Sequence, residues 1–283
     1  MSKVIDGKHV ASVVRASIQK ETEKILESTG KMPNLTVIIV GENPASRVYV
    51  QSKKKFATEV GFASDTIQLP ETTTESELLK HIEKLNHNPD VHGILVQLPL
   101  PEHINQQTVI RAIAVEKDVD GFHPEQVGGL NIGLDTLEPC TPSGVIELLK
   151  YYNIEISGKN AVIIGRSNIV GKPIANMLLR LDATVTITHS HTANLADITR
   201  AADIIIAAIG KPHFLTADMV KDGAVVIDVG INRTAQGKLV GDVDYEAVKK
   251  KASYVTPVPG GVGPMTIAML LANTLKAFKR SLQ

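Results

Sequence analysis

Short apolar runs alternate along this chain with segments whose apolar residues recur at helical spacing, and that alternation restricts the fold to α/β architectures built on parallel sheets. Residues 35–40 (LTVIIV) read as a buried strand. Before them Val10, Val13, Val14, Ile18, Ile25 and Leu26 predict a helix over 8–28, stopped by Gly30. After Gly41, Asn43 is a candidate cap for a helix that carries Tyr49 and Lys53 to Val60, with Pro44 in its first turn and Gly61 closing it. Residues 62–69 return to strand. Thr74, three residues before Glu77, has the spacing of a capping box for a helix through Leu85, and 91–97 (VHGILVQ) is the next strand.

From 98 to 142 the texture changes to LPLPEH, KDVDGFHP, QVGGLNIG and PCTP, too rich in breakers for continuous regular structure. This stretch reads as the seam between two domains, the first covering 1–140. A second βα series follows, with strand-like runs at 161–164, 184–188, 203–207 and 224–229. Residues 254–264 (YVTPVPGGVGP) read as a loop, and 265–279 as a closing helix.

Composition removes several function classes. With 283 residues, 43% hydrophobic and 21% charged, the chain is expected to be an ordinary soluble protein with room for two cores. Thirty basic and thirty acidic residues cancel, so no global field draws nucleic acid or an anionic membrane. The absence of Trp and 4% aromatics argue against base-stacking platforms. No apolar run approaches the roughly 20 residues that span a bilayer, and the charged N-terminus shows no secretory signal. Cys140, the one cysteine, excludes an intrachain disulfide. The expectation is a cytoplasmic protein that works on a small molecule.

The run NAVII leads into Gly165-Arg166-Ser167-Asn168-Ile169-Val170-Gly171-Lys172-Pro173 and then into helix-compatible sequence. A glycine at a strand end lets backbone N–H groups approach a pyrophosphate, and the helix start adds a positive dipole end. The spacing is not GxGxxG, so a purely structural turn is the alternative. The next strand ends in His189-Ser190-His191-Thr192, where NAD-binding folds usually place a carboxylate for the ribose hydroxyls. A hydroxyl there and the Arg166 cation nearby favour NADP over NAD. His189 and His191 lack nearby Cys or carboxylate partners for a metal, and no metal site is expected.

Tyr49 and Lys53 lie four residues apart and share a helix face, with Lys54 and Lys55 turned away from it. A KKK run is by itself usually a solvated face, Asp120 in DVDGFHP a turn-former, and Gln97 a strand-end polar group. Their coincidence at strand ends and following loops, where α/β proteins hold ligands, supports a functional reading.

The strings YVQSKKK, VQLPLP, DVDGFHP, PCTP, GRSNIVGKP, DVGIN and PVPGGVGPMT occur here in one order. That ordered set closely resembles the bifunctional methylenetetrahydrofolate dehydrogenase/cyclohydrolases. The resemblance runs from Tyr49 to Thr266 and implies two α/β domains flanking a cleft, the second (141–264) Rossmann-like and NADP-binding. It also implies that 265–283 returns to the first domain and that the chain forms homodimers through the nucleotide domain. Lys53 matches the family's catalytic lysine, Tyr49 the tyrosine lining the folate pocket, and Gln97 and Asp120 their partners. Gly165, Arg166, Ser167, Ser190 and Ile231 match NADP contacts, and Pro259, Gly260 and Gly261 fall in the substrate-binding motif. The residue after Ser190 is often basic in the family and is His191 here.

The implied chemistry is oxidation of 5,10-methylenetetrahydrofolate and hydrolysis of the methenyl product, with Lys53 as acid/base. Desolvation would lower its proton affinity and the Asp120 carboxylate would raise it, a conflict that sequence leaves open. Another NADP dehydrogenase, acting on a hydroxy acid or a shikimate-like substrate, and a nucleotide-binding module without turnover are the competing readings.

Overall fold

A computed structural model of the chain describes residues 2–42 and 44–283, the side chains of 44–48 excepted. Asn43, the expected helix cap, lies outside the described residues. The chain opens with β1 (Lys3–Val4) and α1 (Gly7–Thr29), followed by β2 (Asn34–Val40), α2 (Pro44–Glu59), β3 (Ala63–Leu69), α3 (Glu75–His87) and β4 (Gly93–Val96). Two short helices come next, α4 (Gln106–Ala112) and α5 (Pro124–Asn131). After α6 (Cys140–Tyr151) run β5 (Asn160–Ile164), α7 (Gly171–Leu179), β6 (Thr184–Thr188), α8 (Leu195–Arg200), β7 (Ile204–Ala207) and β8 (Val225–Asp228). An antiparallel hairpin of β9 (Asn232–Arg233) and β10 (Leu239–Val240), then α9 (Tyr245–Val248), β11 (Tyr254–Val255) and α10 (Val262–Ser281), complete the series. Among the described residues no helix is long and apolar enough to cross a membrane.

The chain divides into two compact units, residues 13–140 with 267–283 and residues 1–12 with 141–266. The first twelve residues therefore depart from the expected 1–140 domain. Their attachment has a clear cause: Lys3 and Val4 pair in parallel with Tyr254 and Val255, and Ile5 donates its N–H to Val255 O at 2.9 Å. Two residues of strand are too few to be legible as a periodicity.

In the unit that holds 13–140, a parallel sheet of order β3-β2-β4 is covered on both faces. Side chains alternate along β2. Leu35, Val37 and Ile39 face a core shared with Ile18 of α1, Val50 and Ala57 of α2, and Leu271 and Phe278 of α10. Ile38 and Val40 face the other way, onto Leu78 and Ile82 of α3 and Val109 of α4. Each of the larger side chains among them contributes roughly 1.5–3 kcal/mol relative to exposure, the Ala57 methyl less. The capping box of α3 forms as expected: the Thr74 hydroxyl accepts from Glu77 N at 3.2 Å, and the Glu77 carboxylate accepts from Thr74 N at 2.8 Å. The breaker-rich stretch carries more structure than its composition suggests. Asn105 Oδ1 accepts from Gln107 N and Thr108 N to start α4, and His123 Nδ1 accepts from Glu125 N to start α5, with Pro124 in its first turn.

The other unit is built on a six-stranded, all-parallel sheet of order β1-β11-β8-β7-β5-β6. Counted from β5 this is the doubly wound 2-1-3-4-5 order, extended by β1 at one edge. The direction of strand succession reverses between β5 and β7, and open α/β sheets take their ligands at the carboxyl ends of such a pair. Val162, Ile164, Ile205, Ala207, Val226 and Val255 join the core beneath the helices. The stretch expected as a loop at 254–264 begins with β11 and ends in the first turn of α10.

Candidate active site

In the unit holding 13–140, α2 follows β2 and brings Lys53 in above the carboxyl ends of the sheet. Gln97 is the residue after β4, its N–H held by Ile38 O at 2.8 Å. Lys53 is 8% exposed, whereas Lys54 and Lys55 are exposed, so the run is not one solvated face. Lys53 Nζ donates to Gln97 Oε1 at 2.8 Å. The amide's orientation is set from its other end, where Gln97 Nε2 donates to Leu98 O at 2.7 Å. Tyr49, one turn before Lys53 on α2, is 39% exposed.

Asp120 reaches the same place along a different path. Asp118 makes a parallel bridge with Ile94 of β4, so the following residues run beside the strand toward Gln97. Gly121 then turns the chain at φ +73°, and a Cβ there would collide with the Leu137 carbonyl oxygen and Pro139 N. The turn is thus restricted to glycine on two counts. Asp120 is half-buried and its charge acts on Lys53. Burial lowers the proton affinity of Lys53, and the Asp120 carboxylate pushes it back in part; burial is the larger influence. The same burial raises the Asp120 carboxyl above the usual carboxylate range, with Lys53 pulling it down.

In the other unit, β5 ends at Gly165, whose φ is +121° and whose N–H donates to Thr188 O of β6 at 3.0 Å. A Cβ at Gly165 would fall inside the Ala208 carbonyl oxygen at the end of β7, so the turn closes against the neighbouring loop. Ser167 Oγ accepts from Val170 N at 3.1 Å and Gly171 N at 3.2 Å, closing the turn that leads into α7. Arg166 is exposed on this turn. Because Ile164 pairs with Thr188, Arg166 and Ser190 stand two residues beyond a matched pair on adjacent strands. The turn after β6 is closed by Thr192 N to His189 O at 2.9 Å and His189 N to Thr192 Oγ1 at 2.9 Å. No carboxylate stands in it, so the residues present fit a dinucleotide with an added phosphate. Ile231, after β8, is 48% exposed. Pro259, Gly260 and Gly261 lie in this unit between β11 and α10, where Gly260 O accepts from Lys8 N at 3.1 Å.

Residues 5–120 match the family model of the tetrahydrofolate dehydrogenase/cyclohydrolase catalytic domain, and 139–282 match that of the NAD(P)-binding domain. The chain belongs to the tetrahydrofolate dehydrogenase/cyclohydrolase family. It is 58% identical over 291 residues to the bifunctional protein FolD of Chloroherpeton thalassium, with 99% of each chain covered. The bifunctional FolD methylenetetrahydrofolate dehydrogenase/cyclohydrolase of Campylobacter jejuni, a crystal structure, superposes with a TM-score of 0.97 at 53% identity, covering 99% of each chain. The Trypanosoma brucei dehydrogenase-cyclohydrolase, solved with NADP and an inhibitor, gives a TM-score of 0.96 at 42% identity over 100% of this chain and 99% of that one.

Within this tetrahydrofolate dehydrogenase/cyclohydrolase chain, several groups around Lys53 escaped the sequence reading. Asp118, 2% exposed, accepts from His123 N at 2.7 Å, and burial pushes its carboxyl up to about 7. Asn273 of α10 donates to Val119 O at 2.9 Å and to Glu138 O at 2.7 Å, and Cys140 Sγ donates to Val119 O at 3.2 Å. These bonds hold the backbone on which Asp120 sits. The first Asp of DVDG was a visible signal for Asp118. Nothing local marks Asn273, which lies more than 150 residues from Val119 in sequence.

Proposed function

We propose that this chain oxidises 5,10-methylenetetrahydrofolate to the 5,10-methenyl cation with NADP and hydrolyses that cation to 10-formyltetrahydrofolate, with Lys53, Gln97, Asp120 and Tyr49 as the reacting and folate-binding group. The observation that carries the reading is a lysine buried at a sheet's carboxyl edge, bonded to Gln97, in a chain of this family. The hydride that leaves the one-carbon bridge with its electron pair would pass to NADP, which supplies the acceptor when bound. The Gly165 turn, Arg166, Ser167, Ser190 and Ile231 hold that cofactor, and Pro259, Gly260 and Gly261 contribute to folate binding.

Hydrolysis moves protons and needs a side chain to do so. Water adds to the methenyl carbon, and the C–N5 bond breaks as the oxygen becomes a formyl group. Both water protons leave, one to N5 and one to solvent. A lysine with lowered proton affinity takes the proton from the adding water and returns it to N5. Gln97 fixes Nζ in place, and Asp120 tunes its charge and orients the pterin.

A steady-state assay with methylenetetrahydrofolate, run with NADP and with NAD, tests this directly. NADPH formation followed by formyl product is expected, with NADP preferred; absence of turnover with either cofactor would leave a binding module. The pH dependence tests the assignment of Asp120. Neutral Lys53 is the base, so hydrolysis rises with pH through the lysine's lowered pKa. Because the Asp120 carboxylate raises that pKa, Asp120→Asn should move the rising limb of the pH–rate profile to lower pH and weaken folate binding. An unmoved limb with unchanged folate affinity would return DVDG to a turn-forming role.

The same proposal includes a homodimer through the unit built on the six-stranded sheet. β6 is an edge strand of that sheet, and Ile187 on it and Leu179 at the end of α7 are 39% and 62% exposed. We place its action in the cytoplasm, which the single, buried, free thiol of Cys140 supports.

A further inference from the structure

Two carboxylates are sunk side by side beneath the carboxyl end of the six-stranded sheet. Asp228 ends β8 and is 2% exposed; Asp242, after β10, is 0% exposed. Asp242 Oδ2 accepts from Ile209 N at 2.7 Å and Gly210 N at 2.9 Å, the residues that leave β7. Its Oδ1 accepts from Asn232 Nδ2 at 2.9 Å. Asp228 in turn seats Asp242: its Oδ1 accepts from Gly230 N and Asp242 N at 2.9 Å each, and its Oδ2 from Val243 N at 2.9 Å. Thr256 Oγ1 accepts from Asp228 N at 2.6 Å and completes the seat.

Every donor in these bonds is a neutral amide. Two carboxyl groups buried together among amide donors alone are a poor way to stabilise a fold, and burial with the neighbouring Asp242 pushes the Asp228 carboxyl up to about 6. What the arrangement does provide is position. The loop that Asp242 grips packs against the Gly165 turn, with Ala208 O against Gly165 and Ile209 Cγ2 3.3 Å from where its Cβ would be. On its other oxygen, Asp242 grips Asn232, next to Ile231. Two walls of the β5/β7 crevice therefore meet at one carboxylate, and the first of them packs in turn against the Gly165 turn.

We propose that Asp242, seated on Asp228, is a positioning residue for the NADP crevice, acting through the Ile209–Gly210 loop and the Ile231–Asn232 segment. This rests on the cofactor reading given above. A bifunctional chain supplies its own control, since hydrolysis of added methenyltetrahydrofolate consumes no NADP. In the full-length chain Asp242→Ala should raise the NADP KM about 10-fold or more while hydrolysis stays within about twofold of wild type. Asp242→Asn retains an oxygen for Ile209 and Gly210, and Asn232 can turn its amide to meet it, so its KM should return to within about threefold of wild type. If Asp242→Ala does not fold, Asn232→Ala decides, with an expected rise of about threefold or more. An NADP KM within about twofold of wild type in the deciding variant overturns the proposal, as does a parallel loss of both activities in folded Asp242→Ala. A wild-type chain that turns over without using NADP would instead overturn the cofactor reading.

Discussion

Lys53→Met is expected to lose conversion of methenyltetrahydrofolate to the formyl product by about 10²–10⁴-fold, the range that positioned acid/base groups supply. Methionine approximates the length and apolar stem of lysine and keeps the buried site filled, but it neither carries charge nor exchanges a proton. Hydride transfer requires no proton from the protein, so dehydrogenase activity should fall less. The loss of the 2.8 Å bond to Gln97 leaves Oε1 without its donor and loosens folate docking, which sets a modest ceiling on the retained dehydrogenase rate. The two activities, measured separately on purified variant, give the answer. Equal retention of both would mean that the buried lysine serves packing alone.

Arg166→Ala should weaken NADP by roughly 10- to 150-fold, the equivalent of a charge-assisted hydrogen bond worth about 1.5–3 kcal/mol. NAD, without the added phosphate, should be affected much less. The basis is the turn after β6, where Ser190 and His191 stand in place of a carboxylate and Arg166 is two residues past the matched Ile164–Thr188 pair. Comparing KM for the two cofactors separates a phosphate contact from a structural one. A loss of the same size for both would assign Arg166 to the pyrophosphate or to the turn itself.

The strands and helices of both βα series could be read from sequence because each is specified locally. LTVIIV has no polar residue to offer solvent except one threonine, and Thr74 with Glu77 closes its cap within a single turn of helix. The glycine at 165 and the missing carboxylate after β6 were legible for the same reason: a turn geometry and a charge are properties of a few adjacent residues. Where elements are very short, that legibility fails. β1 and β11 are two residues each and exist because β11 pairs with β8 on one side and with β1 on the other, and α4 and α5 form among breakers because Asn105 and His123 cap them.

Sequence by itself determined the α/β class, the positions of the glycine turn after β5 and of the lysine-bearing helix, and the ordered motifs of the family. Tertiary structure alone decided which of three consecutive lysines is withdrawn from water, and that burial outweighs the Asp120 charge in lowering its proton affinity. It also decided that the first twelve residues join the later unit, and that Asn273 steadies the backbone before Asp120. The reason is common to all of these: desolvation, and hydrogen bonds between residues far apart in the chain, depend on what packs around a group, and no window of neighbouring residues contains that information.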